Sequence, residues 1–155
     1  MRLVELPLTW TVVLDVAVWG TWSTVCGVVA WRYPAHRLAA DGPLTRPRSF
    51  EDGGRLYPRL GIRRWKDRLP EAGALFPGGV SKRRAGGRSP EALRRFAVET
   101  RRAELTHWWV MALGPFFVLW NPPALAAVMV AYAVAANLPC IMIQRFNRAR
   151  VARLT

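Results

Sequence analysis

The sequence predicts an all-α integral membrane protein with three transmembrane helices. Three apolar runs indicate this fold, at residues 6–31, 105–120 and 124–143. A helix rises ~1.5 Å per residue, so about 20 apolar residues cross a ~30 Å hydrocarbon core. The net charge of +13 alone would suit a soluble nucleic-acid-binding protein, but such a protein does not carry apolar runs of this length. The runs therefore exclude an ordinary soluble domain and a disordered basic tail.

The first run, residues 6–31, is long enough to span the membrane with some tilt. Trp10 and Trp31 lie near its ends, where interfacial aromatic side chains belong. Asp15 is its only charged residue, and a carboxylate at this depth either faces a partner or cavity or reaches water at the outer side. A cleaved signal peptide is the alternative interpretation, but the run is too long for one and a single Arg precedes it.

Residues 32–104 form a basic loop, which holds 18 of the 23 Lys and Arg residues and 8 of the 10 acidic residues. Pro and Gly recur in it and prevent a long helix or strand. Residues 89–105 are the exception, because Ser89 suits an N-cap, Pro90 suits the first helical position, and good helix formers follow. Their apolar side chains recur every three or four residues, which predicts an amphipathic helix that lies at the membrane surface or leads straight into the second run.

The second run, residues 105–120, is short for a span and contains a Gly-Pro pair in its middle. The sequence Asn-Pro-Pro at 121–123 predicts a turn, so the third run returns beside the second. The tail, residues 144–155, carries four Arg and no acidic residue. Because basic flanking segments stay on the cytoplasmic side, we expect the loop and the tail to be cytoplasmic and the N-terminus to be outside. The expected location is the cell membrane, with several passes.

Glu104 and His107 are the strongest candidates for catalysis, because they lie three residues apart and share one face of a helix. A histidine at the bilayer interface is a reasonable general base, and the carboxylate would orient its imidazole. The alternative is that His107 only marks the membrane boundary beside Trp108 and Trp109. The same spacing occurs in di-iron helix bundles, which need matching ligands on other helices. The only other histidine is His36, so no metal site is predicted.

Polar side chains near the end of the third run are candidates for substrate binding. Asn137 and Pro139 interrupt the run, which indicates either a cavity or a kink satisfied by neighbouring helices. Asn137, Gln144 and Arg148 lie near one helix face. Arg145 and Arg148 are able to bind phosphate or carboxylate groups through two hydrogen bonds. The alternative role of both arginines is to anchor the protein on anionic lipid.

Four blocks of the sequence stand out together: residues 64–66 (RWK), 99–108 (ETRRAELTHW), 136–139 (ANLP) and 144–150 (QRFNRAR). In order and spacing, the stretch from about Arg55 to Leu154 resembles the glycosyl-diaponeurosporenoate acyltransferase family. The resemblance implies a small membrane enzyme that esterifies the sugar of a glycosylated carotenoid with a fatty acyl chain, the last step towards staphyloxanthin. It does not fix the acceptor, so another carotenoid glycoside or another glycolipid stays open.

This activity and the residues together predict a site at the cytoplasmic interface. His107 would be the general base, oriented by Glu104, and Arg145, Asn147 and Arg148 would stabilise the developing oxyanion. Basic residues of the loop would suit the phosphates of acyl-CoA. The further candidates for substrate binding are Asn137, Gln144, Arg64, Lys66, Arg101 and Arg102.

No cofactor is expected, because the acyl donor, acyl-CoA or another activated acid, is a substrate. The expected partners are membrane lipid and the glycosylated lipid, and not nucleic acid, since the loop is joined to two membrane spans. A protein partner or a second copy of the chain stays open. The alternative function is a non-catalytic membrane subunit that binds anionic lipid or a partner enzyme through the basic loop. Convergence of the Glu104–His107 pair and residues 144–148 on one pocket would favour the enzyme.

Overall fold

The computed structural model of the protein describes residues 3–69 and 89–154. In these ranges the regular structure is helical and no strand is present, as the all-α prediction requires. In chain order the α-helices are α1 (Leu8–Arg32), α2 (Leu56–Arg59), α3 (Ile62–Trp65), α4 (Pro90–Met111) and α5 (Pro123–Val151). The 3₁₀ helices are Ala35–Leu38, Ser49–Gly54, Lys66–Arg68 and Gly114–Leu119.

α1 and α5 are long and apolar enough to cross a membrane. Only 11% of the most apolar stretch of α1 and 28% of that of α5 are buried inside the protein. The core helix of a soluble protein would be mostly buried, whereas most of the apolar surface of these two helices is left exposed by the rest of the chain. The two helices therefore support a membrane protein.

α4 combines two elements that the sequence predicted separately. The expected surface helix at 89–105 and the start of the second apolar run form one continuous helix from Pro90 to Met111. The Ser89 side chain caps this helix by accepting a hydrogen bond from the Ala92 amide at 3.2 Å. After Pro90, the chain contains no Pro or Gly before Gly114. The Gly-Pro pair at 114–115 then begins a 3₁₀ helix. The helix thus continues past residue 105, which is the alternative of a helix leading straight into the second run, and it ends before the Gly-Pro pair.

The long segments lie side by side and alternate in direction. The Arg102 side chain binds the carbonyl end of α1 at residue 30, and Asn121 Nδ2 lies 2.8 Å from Asp15 Oδ1. Between these contacts, residues 102–121 run alongside α1 in the opposite direction. They pass from the level of residue 30 to that of residue 15, about 22 Å at ~1.5 Å per residue. α5 returns antiparallel to it, in close contact at Gly114, where a Cβ would lie 2.9 Å from Ala133 Cβ.

Asp15 faces protein partners rather than water. Its Oδ1 accepts hydrogen bonds from Trp120 Nε1 at 2.7 Å and from Asn121 Nδ2 at 2.8 Å, and its side chain is buried. Farther along α1, Trp22 Nε1 donates to the Trp109 carbonyl at 2.9 Å. Through Asp15, α1 therefore holds the turn before α5.

Residues 35–69 fold back onto the C-terminal part of α5. Gly54 has a φ of +86° and lies so close to α5 that a Cβ would come within 2.4 Å of Ala149 Cβ. A small apolar core joins the two parts, and partly buried side chains surround it. The core residues are Tyr57, Ile62, Ile143 and Phe146, flanked by Trp65, Leu69 and Met142. The first half of the basic loop is therefore a folded element attached to α5.

Candidate functional site

Glu104 is the centre of a buried ionic cluster between α4 and α5. Its side chain is 0% exposed. Glu104 Oε1 accepts a hydrogen bond from Arg145 Nε at 2.6 Å and a longer one from Trp108 Nε1 at 3.3 Å. Glu104 Oε2 accepts a hydrogen bond from Arg148 Nη2 at 2.7 Å. One carboxylate therefore joins two guanidinium groups through charge-assisted hydrogen bonds, which are stronger than neutral ones.

The folded loop supplies more acceptors to the same two arginines. Arg145 Nη1 donates to Glu51 Oε1, and Arg145 Nη2 donates to the Leu44 carbonyl at 2.6 Å. Arg148 Nη2 also donates to the Thr45 carbonyl. The guanidinium groups of α5 therefore hold residues 44–51 against the bundle.

Asp41 extends the cluster to a third arginine, on α4. Asp41 Oδ1 lies 3.5 Å from Arg148 Nε and 2.6 Å from Arg101 Nε. Arg101 Nη1 also donates to the Leu38 carbonyl at 3.3 Å. Sequence reasoning missed Asp41 and Glu51, because they lie among Pro and Gly residues without periodicity. The one available signal was that few acids share the loop with many arginines, so a buried acid there would pair with Arg.

Tyr57 closes the cluster on the loop side. Its hydroxyl donates to Glu51 Oε2 at 2.8 Å, and its side chain is buried. Burial, and then the hydrogen bond to Glu51 and its charge, raise the pKa of Tyr57 above its ordinary value. The phenol therefore stays neutral and continues to donate to Glu51.

His107 lies about one helical turn beyond Glu104 and contacts Asn137 of the facing helix. His107 Nδ1 is 3.0 Å from Asn137 Oδ1. Asn137 is 4% exposed, and its Nδ2 donates to the Ala133 carbonyl at 2.9 Å. The hydrogen bonds of the Glu104 carboxylate go to Trp108 and the two arginines of α5 instead. The contact with Asn137 is one that sequence reasoning missed, and the orientation of His107 by Glu104 and its role as a base stay predictions.

Arg102 binds the end of α1 instead of facing an open site. Its Nη1 donates to the carbonyls of Ala30 and Tyr33, the latter at 2.6 Å. Its Nε pairs with Glu99 Oε2 at 3.1 Å. A cation at the carbonyl end of a helix satisfies acceptors that have no partner within the helix and interacts favourably with the helix dipole. Arg102 therefore has a structural role that sequence reasoning missed.

The remaining predicted residues fall into two groups. Gln144 and Asn147 are buried on α5 beside the two arginines. Arg64 is exposed on α3, and Lys66 Nζ pairs with Asp67 Oδ1 at 2.6 Å. The structure thus brings Arg145 and Arg148 together with Glu104, whereas Arg64 lies exposed and Lys66 partly exposed on the folded loop.

The cluster and the histidine permit different chemistry. Arg145 donates from all three of its guanidinium nitrogens to protein acceptors, so its charge is neutralised in place. Arg148 Nη1 is buried and has no hydrogen-bond partner among residues 3–69 and 89–154. His107 provides an imidazole about 4.5 Å farther along α4, at ~1.5 Å per residue. Within the same ranges no group of three or more His, Cys, Asp or Glu side chains is arranged to hold a metal ion.

Known proteins match the part of the chain that contains this site. The family model described as glycosyl-4,4'-diaponeurosporenoate acyltransferase matches residues 42–155. Proteins of that name from Staphylococcus haemolyticus and Staphylococcus aureus are 36% and 29% identical to the chain over 104 and 108 residues. These alignments cover 66% and 68% of the chain, but only 60% and 64% of the relatives' own length. No solved structure matches the chain.

Proposed function

Because the chain belongs to the glycosyl-4,4'-diaponeurosporenoate acyltransferase family, we propose that it transfers a fatty acyl chain to a sugar hydroxyl of a glycosylated carotenoid or a related glycolipid. The observation that carries the proposal is the position of His107. This imidazole lies within the family match, one turn from the buried cluster, where α4 enters the second apolar run. At that depth a lipid-linked sugar and an acyl donor meet at the membrane surface.

The proposed reaction needs one base and one site for negative charge. The imidazole of His107 takes the proton of a sugar hydroxyl while the hydroxyl oxygen bonds to the acyl carbonyl carbon. The former carbonyl oxygen carries the negative charge of the tetrahedral intermediate. When the bond from the acyl carbon to the leaving group breaks, the imidazolium gives its proton to that group, a thiolate if the donor is acyl-CoA. The products are the sugar ester and the thiol, and His107 is neutral again.

The basic residues divide into two proposed roles. Arg145 holds Glu104 and the folded loop, since its donors already bind protein acceptors. Arg148 has Nη1 left as a donor, so it is the candidate for stabilising the oxyanion. Arg64 is exposed on the loop, where a phosphate of acyl-CoA would reach it.

The proposed topology has three passes, with the N-terminus outside and the loop and tail in the cytoplasm. α1 and α5 are two of the passes, and the end of α4 together with the 3₁₀ helix Gly114–Leu119 makes the third. Contacts on either side of this segment support it: Arg102 binds the carbonyl end of α1, and Asn121 binds Asp15 in the first half of α1. The basic residues of the loop and tail support the orientation.

Cysteine labelling in intact cells tests this topology. The two natural cysteines are changed to Ala, and a single new cysteine replaces either Ala124, beside the turn before α5, or Ser49, on the folded loop; both are exposed. An impermeant maleimide is expected to label the variant Ala124→Cys and not Ser49→Cys. The reverse pattern would overturn the orientation.

Replacement of His107 tests the activity. Membranes from cells expressing each variant at matched protein level receive a glycosylated carotenoid and radiolabelled palmitoyl-CoA, and the acylated product is measured. A positioned base contributes ~10²- to 10⁴-fold, so His107→Ala should lose at least about 100-fold in rate. His36→Ala is the control, because His36 is exposed in the loop. A wild-type rate for His107→Ala would show that His107 is a boundary residue.

A non-catalytic membrane subunit is the second candidate, and the neutralised cluster favours it. The three guanidinium nitrogens of Arg145 and Nη2 of Arg148 donate to protein acceptors, as expected for a structural element. Purified protein in liposomes separates the two candidates. Acyl transfer by the protein alone supports the enzyme, whereas transfer that needs an added second protein supports the subunit.

A further inference from the structure

We propose that Asn137 is the positioning residue for His107 and that it fixes the imidazole in the tautomer with its hydrogen on Nδ1. The catalytic meaning of this inference rests on the proposed function. The tautomer itself is a property of the protein alone and is measurable without a substrate.

The first step is the orientation of the Asn137 amide. Asn137 Nδ2 donates to the Ala133 carbonyl at 2.9 Å, and a carbonyl oxygen only accepts. An amide turned the other way would place Oδ1 against that carbonyl oxygen and lose the hydrogen bond. Because Asn137 is 4% exposed, solvent does not compensate for such a loss. The backbone of α5 therefore directs Oδ1 towards His107.

The second step is the proton on the ring. Asn137 Oδ1 has no hydrogen, so the 3.0 Å contact is a hydrogen bond only if His107 Nδ1 donates. A neutral imidazole carries one hydrogen, which leaves the lone pair on Nε2. Nε2 is therefore the nitrogen that takes the proton from the sugar hydroxyl in the proposed reaction.

The third step is that other groups hold the Glu104 carboxylate. The Glu104 carboxylate accepts from Arg145 Nε, Arg148 Nη2 and Trp108 Nε1. A carboxylate held by two guanidinium groups is fixed in place by them, whereas Asn137 reaches His107 from the facing helix. Position and tautomer of the imidazole thus depend on the packing of α4 against α5.

The tautomer is measured by nitrogen NMR on the full chain in lipid nanodiscs. The chain has only two histidines, so His36→Gln leaves His107 as the single imidazole. Histidine labelled with ¹⁵N in the ring then gives two signals, and their shifts show which nitrogen carries the hydrogen when the ring is neutral. We expect Nδ1 to be protonated and Nε2 not. A neutral hydrogen bond gives a preference of about 2- to 10-fold over the other tautomer.

Two variants of Asn137 separate positioning from general packing. Asn137→Leu has similar volume and removes the acceptor, so the preference for Nδ1–H should disappear and kcat should fall about 2- to 10-fold with KM little changed. Asn137→Asp loses the donor to Ala133 but keeps an oxygen towards Nδ1, so it should keep the tautomer. Asn121→Ala is the control, because it removes another buried amide far from His107 and should leave the tautomer unchanged.

With native Asn137, a neutral His107 ring that carries its hydrogen on Nε2 would overturn the inference. A tautomer ratio that Asn137→Leu leaves unchanged would also overturn it. Where Asn137→Leu does not fold, the spectra of native Asn137 and of Asn137→Asp decide. Failure of the proposed function is recognised by a separate result, the rate of acyl transfer by His107→Ala. If the tautomer follows Asn137 but His107→Ala transfers acyl chains at the wild-type rate, the imidazole is positioned as inferred and is not the base.

Discussion

Glu104→Gln is the change that tests how the ionic cluster contributes to the fold. It keeps the shape of the side chain but removes the negative charge that Arg145 and Arg148 share at 2.6 and 2.7 Å. Both arginine side chains are 8% exposed, so water does not replace the lost partner. Removing one partner of a buried ion pair typically costs about 3–5 kcal/mol. We expect the lower end of this range, because Arg145 keeps its ion pair with Glu51.

Thermal unfolding of the purified protein in detergent measures this loss. For a chain of this size, each kcal/mol lowers Tm by about 2–4 °C, so a loss of ~3 kcal/mol lowers it by about 6–12 °C. Glu99→Gln is the matched control, since it removes the same charge from the partly exposed pair with Arg102, in which the Glu99 side chain is 25% exposed. Such a pair contributes about 1 kcal/mol or less.

Acyl transfer is measured on the same samples, and the comparison separates a structural from a chemical role. Glu104→Asp keeps the charge on a shorter side chain and should lose less stability than Glu104→Gln. The reasoning is refuted if Glu104→Gln unfolds at the wild-type temperature and yet abolishes acyl transfer. In that case Glu104 acts on the substrate or on His107, and the arginines do not need its charge.

The same unfolding measurement checks three further changes. Arg102→Ala removes the guanidinium from the carbonyl end of α1 and should cost about 1–3 kcal/mol, whereas the exposed Arg94→Ala should change stability by about 0.5 kcal/mol or less; equal effects would contradict the capping role. Gly54→Ala combines a φ of +86° with a Cβ that clashes with α5 and should cost about 1–3 kcal/mol, while Gly20→Ala, with nothing within 4 Å, should not destabilise. Tyr57→Phe should lose about 0.5–1.5 kcal/mol with its hydrogen bond, and an unchanged Tm would show that this bond contributes nothing.

The helices that the sequence predicted best are those in which one property, high hydrophobicity, extends over most of the helix. The apolar runs at 6–31 and 124–143 predicted α1 and most of α5, because hydrophobicity alone determines a membrane helix. The second run was predicted less well, because a change from amphipathic to apolar composition does not end a helix. Only the Gly-Pro pair does, and it lies at 114–115.

The site was predicted as a set of residues and not as a set of pairs. Spacing placed Glu104 and His107 on one face of a helix, and both do lie on α4, but spacing does not show which groups the facing helix offers. Two guanidinium groups outcompete a neutral imidazole for a buried carboxylate, since ion pairs there compensate desolvation of both charges. The loop acids were beyond prediction for another reason: Glu51 and Arg145 are 94 residues apart in sequence, and no periodicity connects them.

Substitutions in the arginines of residues 144–148 and in the His107–Asn137 pair are therefore expected to have different effects. The arginines of residues 144–148 attach the folded loop to the end of α5, so changes in this block reduce stability before they reveal any chemistry. A loss of acyl transfer in Arg145→Ala is then no evidence that Arg145 contacts a substrate unless Tm is preserved. The His107–Asn137 contact is a single neutral hydrogen bond, whose removal costs little stability by comparison. Loss of activity with a smaller loss of stability than in residues 144–148 is thus expected at His107 and Asn137, and this combination distinguishes residues of the reaction from residues of the fold.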